Sequence, residues 1–192
     1  MRIGVLALQG AFIEHEKMLR RLGVETVQVR LAKDLEELSA LIIPGGESTT
    51  IGKLATDFGL VEPLREFAKE KPVWGTCAGA ILLAKDTHRE QPLLNLMDIQ
   101  IARNAFGRQV DSFEISLDIP CLKPYSNGTA AFKAVFIRAP LIESVGEKVE
   151  VLSKLEDGSI VAARQGHILA TSFHPELTED DRFHQYFLEL VK

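Results

Sequence analysis

Residues 2–8, Arg2-Ile3-Gly4-Val5-Leu6-Ala7-Leu8, form an apolar run that Gln9-Gly10 closes. A short apolar run that contains β-branched residues and ends at a turn signal predicts a buried strand. Five residues then recur at three- and four-residue spacing, as on one face of a helix: Phe12, His15, Met18, Leu19 and Leu22. Gly23 follows where a glycine commonly ends a helix. The chain is therefore expected to begin with a strand, a turn and a helix.

The alternation of strand and helix continues through the first half of the chain. Apolar runs predict strands at 24–31, Ala40–Ile43 and Val73–Thr76, and helical patterns occur at 35–38, 60–71 and 78–85. This alternation is typical of a three-layer α/β fold, in which helices cover both faces of a mostly parallel sheet.

The pattern changes after Arg89. Strand-like segments at 93–116, 132–137, 149–152 and 160–163 are joined by short turns and predict a mixed or antiparallel extension of the sheet. A final helix is predicted with Thr178 as its N-cap and the acidic residues 179–181 in its first turn. No linker or repeat is visible, so we expect one domain over residues 1–192.

Composition excludes several classes of protein. The net charge is −5 and no Lys/Arg-rich run is present, which argues against nucleic-acid binding. The apolar runs are far shorter than the roughly 20 residues that cross a bilayer. The amino terminus lacks the features of a secretory leader, so we expect a cytoplasmic protein. The two cysteines, Cys77 and Cys121, fit neither a disulfide framework nor a zinc site.

Gly75-Thr76-Cys77-Ala78-Gly79 lies where a predicted strand meets a predicted helix. A nucleophile with small residues two positions away on each side has the form of a nucleophile elbow, whose strained turn raises the side chain above the sheet. The following helix would favour the thiolate form of Cys77. We predict a reactive cysteine here, with a small buried cysteine as the alternative. Cys121 has no such turn and is expected to be structural or exposed.

A cysteine nucleophile needs a base, and His174 is the best placed of five histidines. It follows a strand-like run in Ser172-Phe173-His174-Pro175-Glu176. Pro175 favours an extended backbone at His174, and Glu176 is placed to accept a hydrogen bond from the imidazole. The alternative is a capping histidine before the last helix. The other histidines are expected to be structural or solvated: His15, His88, His167 and His184.

A third segment, Pro44-Gly45-Gly46-Glu47-Ser48-Thr49-Thr50, also follows a predicted strand. Its glycines and helix start offer backbone amides that can hold an oxyanion or a carboxylate. The segment does not fit a phosphate-binding P-loop, because the spacing from Gly46 to Gly52-Lys53 is one residue too long and Leu54 replaces the required Ser or Thr. All three segments lie at carboxyl ends of predicted strands, where open α/β sheets place their ligand sites.

These three segments, in this order, resemble the motifs of the class I triad glutamine amidotransferases, which have a flavodoxin-like fold. The whole chain is similar to one family of that class, the glutaminase subunits of pyridoxal 5′-phosphate synthases. The closer resemblance extends over residues 3–6, 8–11, 45–50, 103–109, 136–140, 161–166 and 172–178.

The resemblance implies hydrolysis of L-glutamine to L-glutamate and ammonia. Cys77 would be the nucleophile, His174 would move the proton, and Glu176 would orient His174. The residues implied to bind glutamine are Gly46, Glu47, Ser48, Arg103, Ile137 and Arg138, and those implied to hold the oxyanion are Gly46 and Ala78. Ammonia would pass to a barrel-shaped synthase subunit that builds pyridoxal phosphate from pentose and triose phosphates. No metal, cofactor, nucleic acid or membrane is expected to take part.

Two departures from the family pattern stand out. Ala105 replaces the usual serine after Arg103-Asn104, and the segment 123–133 is longer than usual. Neither involves the triad, so we expect effects on substrate affinity or partner contact rather than loss of activity.

Three other functions compete with this interpretation. An amidotransferase subunit of another synthase, such as one that makes imidazole glycerol phosphate, would share the triad, although segments 103–109 and 136–140 favour the vitamin B6 route. A non-catalytic scaffold is disfavoured because Cys77, His174 and Glu176 are all present. A general cysteine peptidase is disfavoured by the glutamine-type binding segments.

Overall fold

The computed structural model describes residues 1–103, 112–126, 129 and 131–191. Within these ranges the helices are α1 (Phe12–Arg21), α2 (Ser48–Asp57), α3 (Val61–Glu70), α4 (Ala78–Leu83) and α5 (Arg182–Glu189). The strands are β1 (Arg2–Leu6), β2 (Glu25–Val29), β3 (Ala40–Ile43), β4 (Val73–Thr76), β5 (Ala84–Asp86), β6 (Met97–Ala102), β7 (Ser112–Asp118), β8 (Ala131–Ile137), β9 (Leu141–Val145), β10 (Glu150–Lys154), β11 (Ile160–Gln165) and β12 (Ile168–Thr171). Short 3₁₀ turns occupy Ala32–Leu35, Pro120–Tyr125 and Pro175–Leu177.

The described strands form one large sheet and one separate ribbon. The sheet has ten strands in the order β2-β1-β3-β4-β12-β11-β9-β6-β5, with β10 paired to β11, and β7 pairs with β8 in the ribbon. From β2 to β12 neighbouring strands run parallel, whereas β12, β11, β9 and β6 are joined by antiparallel pairings. The predicted α/β class and its antiparallel extension are confirmed.

Two apolar clusters cover the opposite faces of this sheet. Ile42 and Trp74 belong to one cluster, while Leu41 and Ile43 belong to the other. Successive side chains of a strand point to opposite faces, so a strand covered on both sides must be apolar throughout. This is why β3 is a continuous apolar run and why β4, although it ends in the buried Thr76, lacks the alternation of a half-exposed strand.

Several predicted boundaries were wrong. The predicted helix at 35–38 is a 3₁₀ turn at Ala32–Leu35, where the Asp34 carboxylate accepts hydrogen bonds from the Arg30 and Leu31 amides. The predicted helix at 78–85 ends at Leu83 because the chain enters β5 at the next residue. The segment predicted as strand at 93–116 contains β6 and the start of β7, and its residues 104–111 lie outside the described part of the chain. The sequence did not predict β9.

Thr178 is not the N-cap of the last helix. Its hydroxyl donates to the Pro175 carbonyl (3.0 Å) and accepts from the Asp180 amide (3.2 Å), which closes a turn before the helix. Helix α5 then begins at Arg182, so residues 179–181 precede it.

The parallel pairing decides where a site can form. Because β1, β3, β4 and β12 run in the same direction, their carboxyl ends meet at one edge of the sheet. The segments that follow these strands contain Gln9, Gly45, Cys77 and His174. No helix within the described ranges has both the length and the apolar character needed to cross a membrane.

The aromatic contacts of Phe183 predict a large stability loss on truncation. Its buried ring packs against Trp74, Phe132 and Phe173, with centroid separations of 5.1 to 5.9 Å. Phe183→Ala is expected to lower the free energy of unfolding by about 3–5 kcal/mol, measured by urea denaturation. Phe58→Ala is the matched control at an exposed ring and should change it by less than about 0.5 kcal/mol. Equal losses in both variants would contradict this packing.

Candidate active site

Cys77 sits on a strained turn between β4 and α4. Its backbone φ is 48° and its ψ is −105°, in the half of φ space that L residues rarely adopt. A Cβ on Gly79 would lie 1.9 Å from the Ile43 carbonyl oxygen, and one on Gly75 would lie 2.5 Å from the Gly79 carbonyl carbon. Only glycine fits these two positions, so the predicted nucleophile-elbow geometry is confirmed.

His174 follows β12 and is fixed from two sides. Its backbone amide donates to the Val135 carbonyl (2.8 Å), and its ring Nδ1–H donates to Glu176 Oε1 (2.7 Å). Glu176 is held in the 3₁₀ turn Pro175–Leu177, which Pro175 begins. The ring thereby keeps Nε2 free for a hydrogen bond with Cys77.

The electrostatics make His174 and Glu176 an ion pair. Burial opposes protonation of His174, but hydrogen bonds and Coulombic attraction from Cys77 and Glu176 outweigh it and raise the imidazole pKa to about 10. Burial also opposes ionisation of Glu176, yet the interactions with His15 and His174 lower the pKa of its carboxyl group. His174 is therefore protonated at neutral pH and Glu176 is ionised.

The predicted site residues meet at a cleft of about 460 Å³. Its lining includes Gly46, Glu47, Ser48, Cys77, Ala78, Arg103, Ile137, Arg138 and His174. Glu176 lies behind His174 and is 6% exposed. The structure thus brings together every residue that the sequence indicated for the triad, the oxyanion site and the glutamine site.

The glycine-rich loop after β3 is locked against the loop after β1. The Ala11 amide donates to the Gly45 carbonyl (2.9 Å), and the Glu47 amide donates to Gln9 Oε1 (2.8 Å). Gly10 has a φ of +104°, and a Cβ there would lie 1.9 Å from Gly45 O. The sequence argument did not single out Gln9, although its position just past the first strand was a usable signal.

Glu47 is the N-cap of α2 and a charged group of the cleft. Its carboxylate accepts from the Thr50 amide (2.8 Å) and from the hydroxyls of Thr49 and Thr50. Partial burial opposes its ionisation, but these hydrogen bonds lower the pKa of Glu47 to about 2. Arg103 Nη2 donates to Glu47 Oε1 at 2.8 Å, so an acid and a base stand side by side in the cleft.

Gln91 is a further residue that sequence reasoning missed. Its Oε1 accepts from Arg103 Nη1 (3.0 Å) and from the Ser48 hydroxyl (3.4 Å). It therefore joins two predicted glutamine-binding residues. Gln91 lies in an irregular polar stretch, 87–92, where no periodicity or motif distinguishes it.

The last residue of β8, Ile137, and the residue after it, Arg138, also line the cleft. Arg138 has a φ of 43°, a second strained residue beside the cleft. The Ile137 carbonyl oxygen lies 4.0 Å from Cys77 Sγ. Backbone strain at both Cys77 and Arg138 indicates a site whose geometry is imposed by the surrounding fold.

Some predicted features lie elsewhere or outside the described residues. Of segment 103–109 only Arg103 is described, so Ala105 lies outside, as do parts of segment 123–133. Exposed His88 pairs with Glu143, and His167 Nε2 contacts the Ala68 carbonyl at 2.8 Å. Cys121 is half-buried, and burial raises the pKa of its thiol to about 11. In the described ranges, no three His, Cys, Asp or Glu side chains are arranged to hold a metal ion.

The sheet brings a cysteine, a histidine and a carboxylate together at its carboxyl edge. This arrangement resembles that of α/β proteins that use a Cys-His-Glu triad. The chain matches the model of the SNO glutamine amidotransferase family over residues 5–192. It therefore belongs to that family.

Similar proteins agree with this membership. A protein of Herpetosiphon aurantiacus called "Pyridoxal 5′-phosphate synthase subunit PdxT" is 63% identical, over 99% of this chain and all of that protein. One of the same name from Dehalococcoides mccartyi is 58% identical, over all of this chain and 98% of that protein. A solved structure described as a glutamine amidotransferase superposes with a TM-score of 0.90 at 52% identity and covers 98% of both chains. PurLQS from Thermotoga maritima shares the fold, with a TM-score of 0.75 at 16% identity.

The ion pair predicts how His174 titrates. Glu176→Gln removes the negative charge on the Nδ1 side, so the pKa of His174 should fall from about 10 by about one unit or more. An NMR titration of the imidazole measures this. Glu179→Gln is the control, because this nearby glutamate pairs with Arg21 at the surface. A His174 pKa that is the same in Glu176→Gln and in wild type would show that the carboxylate does not stabilise the imidazolium.

Proposed function

We propose that this chain is the glutaminase subunit of a pyridoxal 5′-phosphate synthase, with Cys77, His174 and Glu176 as its catalytic triad. One observation supports these residues above all: Cys77 and His174 line the same cleft, and His174 is hydrogen-bonded to buried Glu176. Arg103 and Glu47 line this cleft as well. The family and the names of the similar proteins support the substrate and the pathway.

The geometry suits an acyl-transfer reaction. Cys77 Sγ attacks the carbon of the glutamine side-chain amide, and its sulfur is used as the thiolate because His174 holds the proton. The developing negative charge on the amide oxygen would be held by backbone amides at Gly46 and Ala78, which line the cleft next to the sulfur. His174 Nε2–H then donates its proton to the departing nitrogen, and ammonia leaves a γ-glutamyl thioester on Cys77.

The second half of the reaction regenerates the triad. His174, now neutral, takes a proton from water as the water attacks the thioester carbonyl. Glutamate leaves with the new carboxylate, and the sulfur departs as thiolate beside the imidazolium. Glu176 keeps Nδ1–H in place throughout, so Nε2 is always the nitrogen that exchanges the proton. This mechanism uses groups of the chain and water alone.

The polar side chains of the cleft match the ends of a free amino acid. Glutamine carries a carboxylate and an ammonium group next to its side chain. The Arg103 guanidinium suits the carboxylate, and the ionised Glu47 suits the ammonium group. Gln91 fixes the other arm of the guanidinium, which limits the positions that the substrate carboxylate can take.

A glutaminase that feeds a synthase must deliver ammonia. The similar proteins are named as subunits of pyridoxal 5′-phosphate synthase, which supports a second subunit as the ammonia acceptor. We expect that subunit to be the barrel enzyme that joins the pentose and triose phosphates. Because free ammonia would be wasted, we also expect glutamine hydrolysis to be slow until the partner binds.

Removal of the sulfur tests the nucleophile. Cys77→Ala should reduce glutamate release to the background rate, a loss of at least about 10³-fold, with the barrel subunit present or absent. Glutamate is measured in a coupled enzymatic assay. Cys121→Ala removes the other thiol and should keep wild-type activity. Unchanged release in Cys77→Ala would rule out the proposed nucleophile.

Replacement of Arg103 tests the substrate site. Arg103→Lys keeps the positive charge but not the planar pair of donors that spans Glu47 and Gln91. The KM for glutamine should rise by about tenfold and kcat should change by less than about threefold, because the guanidinium binds substrate and transition state alike. Arg2→Lys, at a surface ion pair, is the control. A fall in kcat at constant KM would place Arg103 in the chemistry instead of in binding.

A further inference from the structure

A row of buried polar side chains continues behind the triad. His15 from α1 and His184 from α5 have no exposed surface, and Thr76 at the end of β4 is equally buried. None of the proposed steps uses them, although burying imidazole rings in an apolar core carries a free-energy cost that needs a compensating interaction.

The distances join this row to the triad. His15 Nε2 lies 3.1 Å from Thr76 Oγ1 and 3.4 Å from Glu176 Oε2. On the other side of the same ring, His15 Nδ1 lies 3.0 Å from His184 Nε2. Apart from this longer approach of His15, Glu176 Oε2 has no hydrogen-bond partner among the described residues, and His184 Nδ1 has none either. His15 is thus the group that approaches the second oxygen of the triad carboxylate.

Both rings are neutral, so each carries one N–H. Burial is the main cause and lowers the pKa of His15 and of His184 to about 3. The charged groups that act on the pair are Glu176 and His174 on the side of His15, and Arg21 on the side of His184. The neighbouring Glu16 engages Gln28 and Arg20 instead.

Only one arrangement of the protons suits these contacts. If His15 carried its proton on Nδ1, its Nε2 lone pair would face the ionised Glu176, and His184 Nδ1–H would be a buried donor without an acceptor. With the proton on Nε2, His15 directs an N–H between Thr76 Oγ1 and Glu176 Oε2. His184 Nε2–H then donates to His15 Nδ1, and the unpartnered atom is an acceptor, which costs less.

We propose that His15 is a positioning residue of the triad, whose Nε2–H holds Glu176 Oε2 while Glu176 Oε1 accepts from His174. The role in catalysis rests on the proposed glutaminase function. A carboxylate held at one oxygen only can rotate about its last bond, which would weaken its alignment with the imidazole. When both of its oxygens are held, the Glu176 carboxylate keeps a proton on His174 Nδ1 and leaves Nε2 for the reaction. His184 fixes the tautomer of His15.

Two amides that differ by one methylene provide a matched test. The amide nitrogen of glutamine at position 15 reaches the place of His Nε2, whereas that of asparagine reaches only the place of Nδ1. In His15→Asn, kcat for glutamine should fall by about tenfold with an unchanged KM, because the N–H that approaches the charged carboxylate of Glu176 is lost. The acid limb of the pH profile should move upward by about half to one pH unit, since losing a donor raises the pKa of Glu176. His15→Gln should stay within about twofold of wild type in all three quantities.

The controls separate positioning from stability. Leu19→Ala truncates a fully buried residue of the same helix that belongs to an apolar cluster, so it should lower the melting temperature and leave the pH profile unchanged. All assays use the full chain with the barrel subunit. The proposal would be overturned if the folded Asn and Gln variants both had the wild-type kcat, or if kcat fell equally in both. It would also be overturned if the acid limb of the pH profile did not move in His15→Asn.

A measurement on the wild-type chain does not depend on any variant folding. Two-bond ¹H–¹⁵N spectra of the imidazoles report the tautomer, and they should show His15 neutral with its proton on Nε2 at pH 6 to 8. A proton on Nδ1 would overturn the proposal. If the wild type released no glutamate with the barrel subunit, the proposed glutaminase function would be wrong. The tautomer of His15 would still show whether His15 donates to Glu176.

Discussion

The contact between Gly79 and the Ile43 carbonyl oxygen holds the turn on which Cys77 stands. No side chain fits between the end of β3 and the start of α4, so the chain can turn sharply enough to leave Cys77 with a positive φ. Similar contacts join the neighbouring loops: Gly10 lies against Gly45, and Gly45 lies against the His174 ring. These close contacts, between backbone segments and between Gly45 and the His174 ring, fix the relative positions of the four loops after β1, β3, β4 and β12.

This constraint explains how a strained site remains ordered. A positive φ at a non-glycine residue costs on the order of 1–3 kcal/mol and persists only where the surroundings enforce it. Here the enforcing elements are the buried strands β3 and β4, whose side chains belong to both apolar clusters. The free energy of burying the sheet therefore maintains the position of the sulfur.

Charge is arranged in two separate groups around the cleft. His174 and Glu176 are buried and face each other through a 2.7 Å hydrogen bond, which in the proposed mechanism sets the position of the transferred proton. Glu47 and Arg103 are more exposed and line the same cleft, where the proposed zwitterionic substrate would replace part of their mutual interaction. In the proposed function, proton transfer and substrate recognition thus depend on different side chains.

Much of this architecture could be read from the sequence, because its signals are local. Apolar runs located β3 and β4 to the residue. Small residues around Cys77 and the His-Pro-Glu order indicated the residues of the proposed triad. Thr178 was misplaced because its hydroxyl closes a turn before the helix, a competing local hydrogen bond that the N-cap pattern does not reveal. Gln91 and the contact of His15 with Glu176 could not be predicted, since each depends on residues that only the folded chain brings together. His15 counted simply as one position of an apolar helix face.

Cys77 is the proposed nucleophile of a glutamine-specific site. A glutamine analogue with a diazoketone in place of the side-chain amide tests it directly, because thiol attack releases dinitrogen and leaves a stable thioether. Peptide mapping by mass spectrometry should find a single adduct on the peptide that contains Cys77, formed more slowly when glutamine is added in excess. An adduct on Cys121, or labelling of Cys77 that glutamine does not slow, would contradict the account.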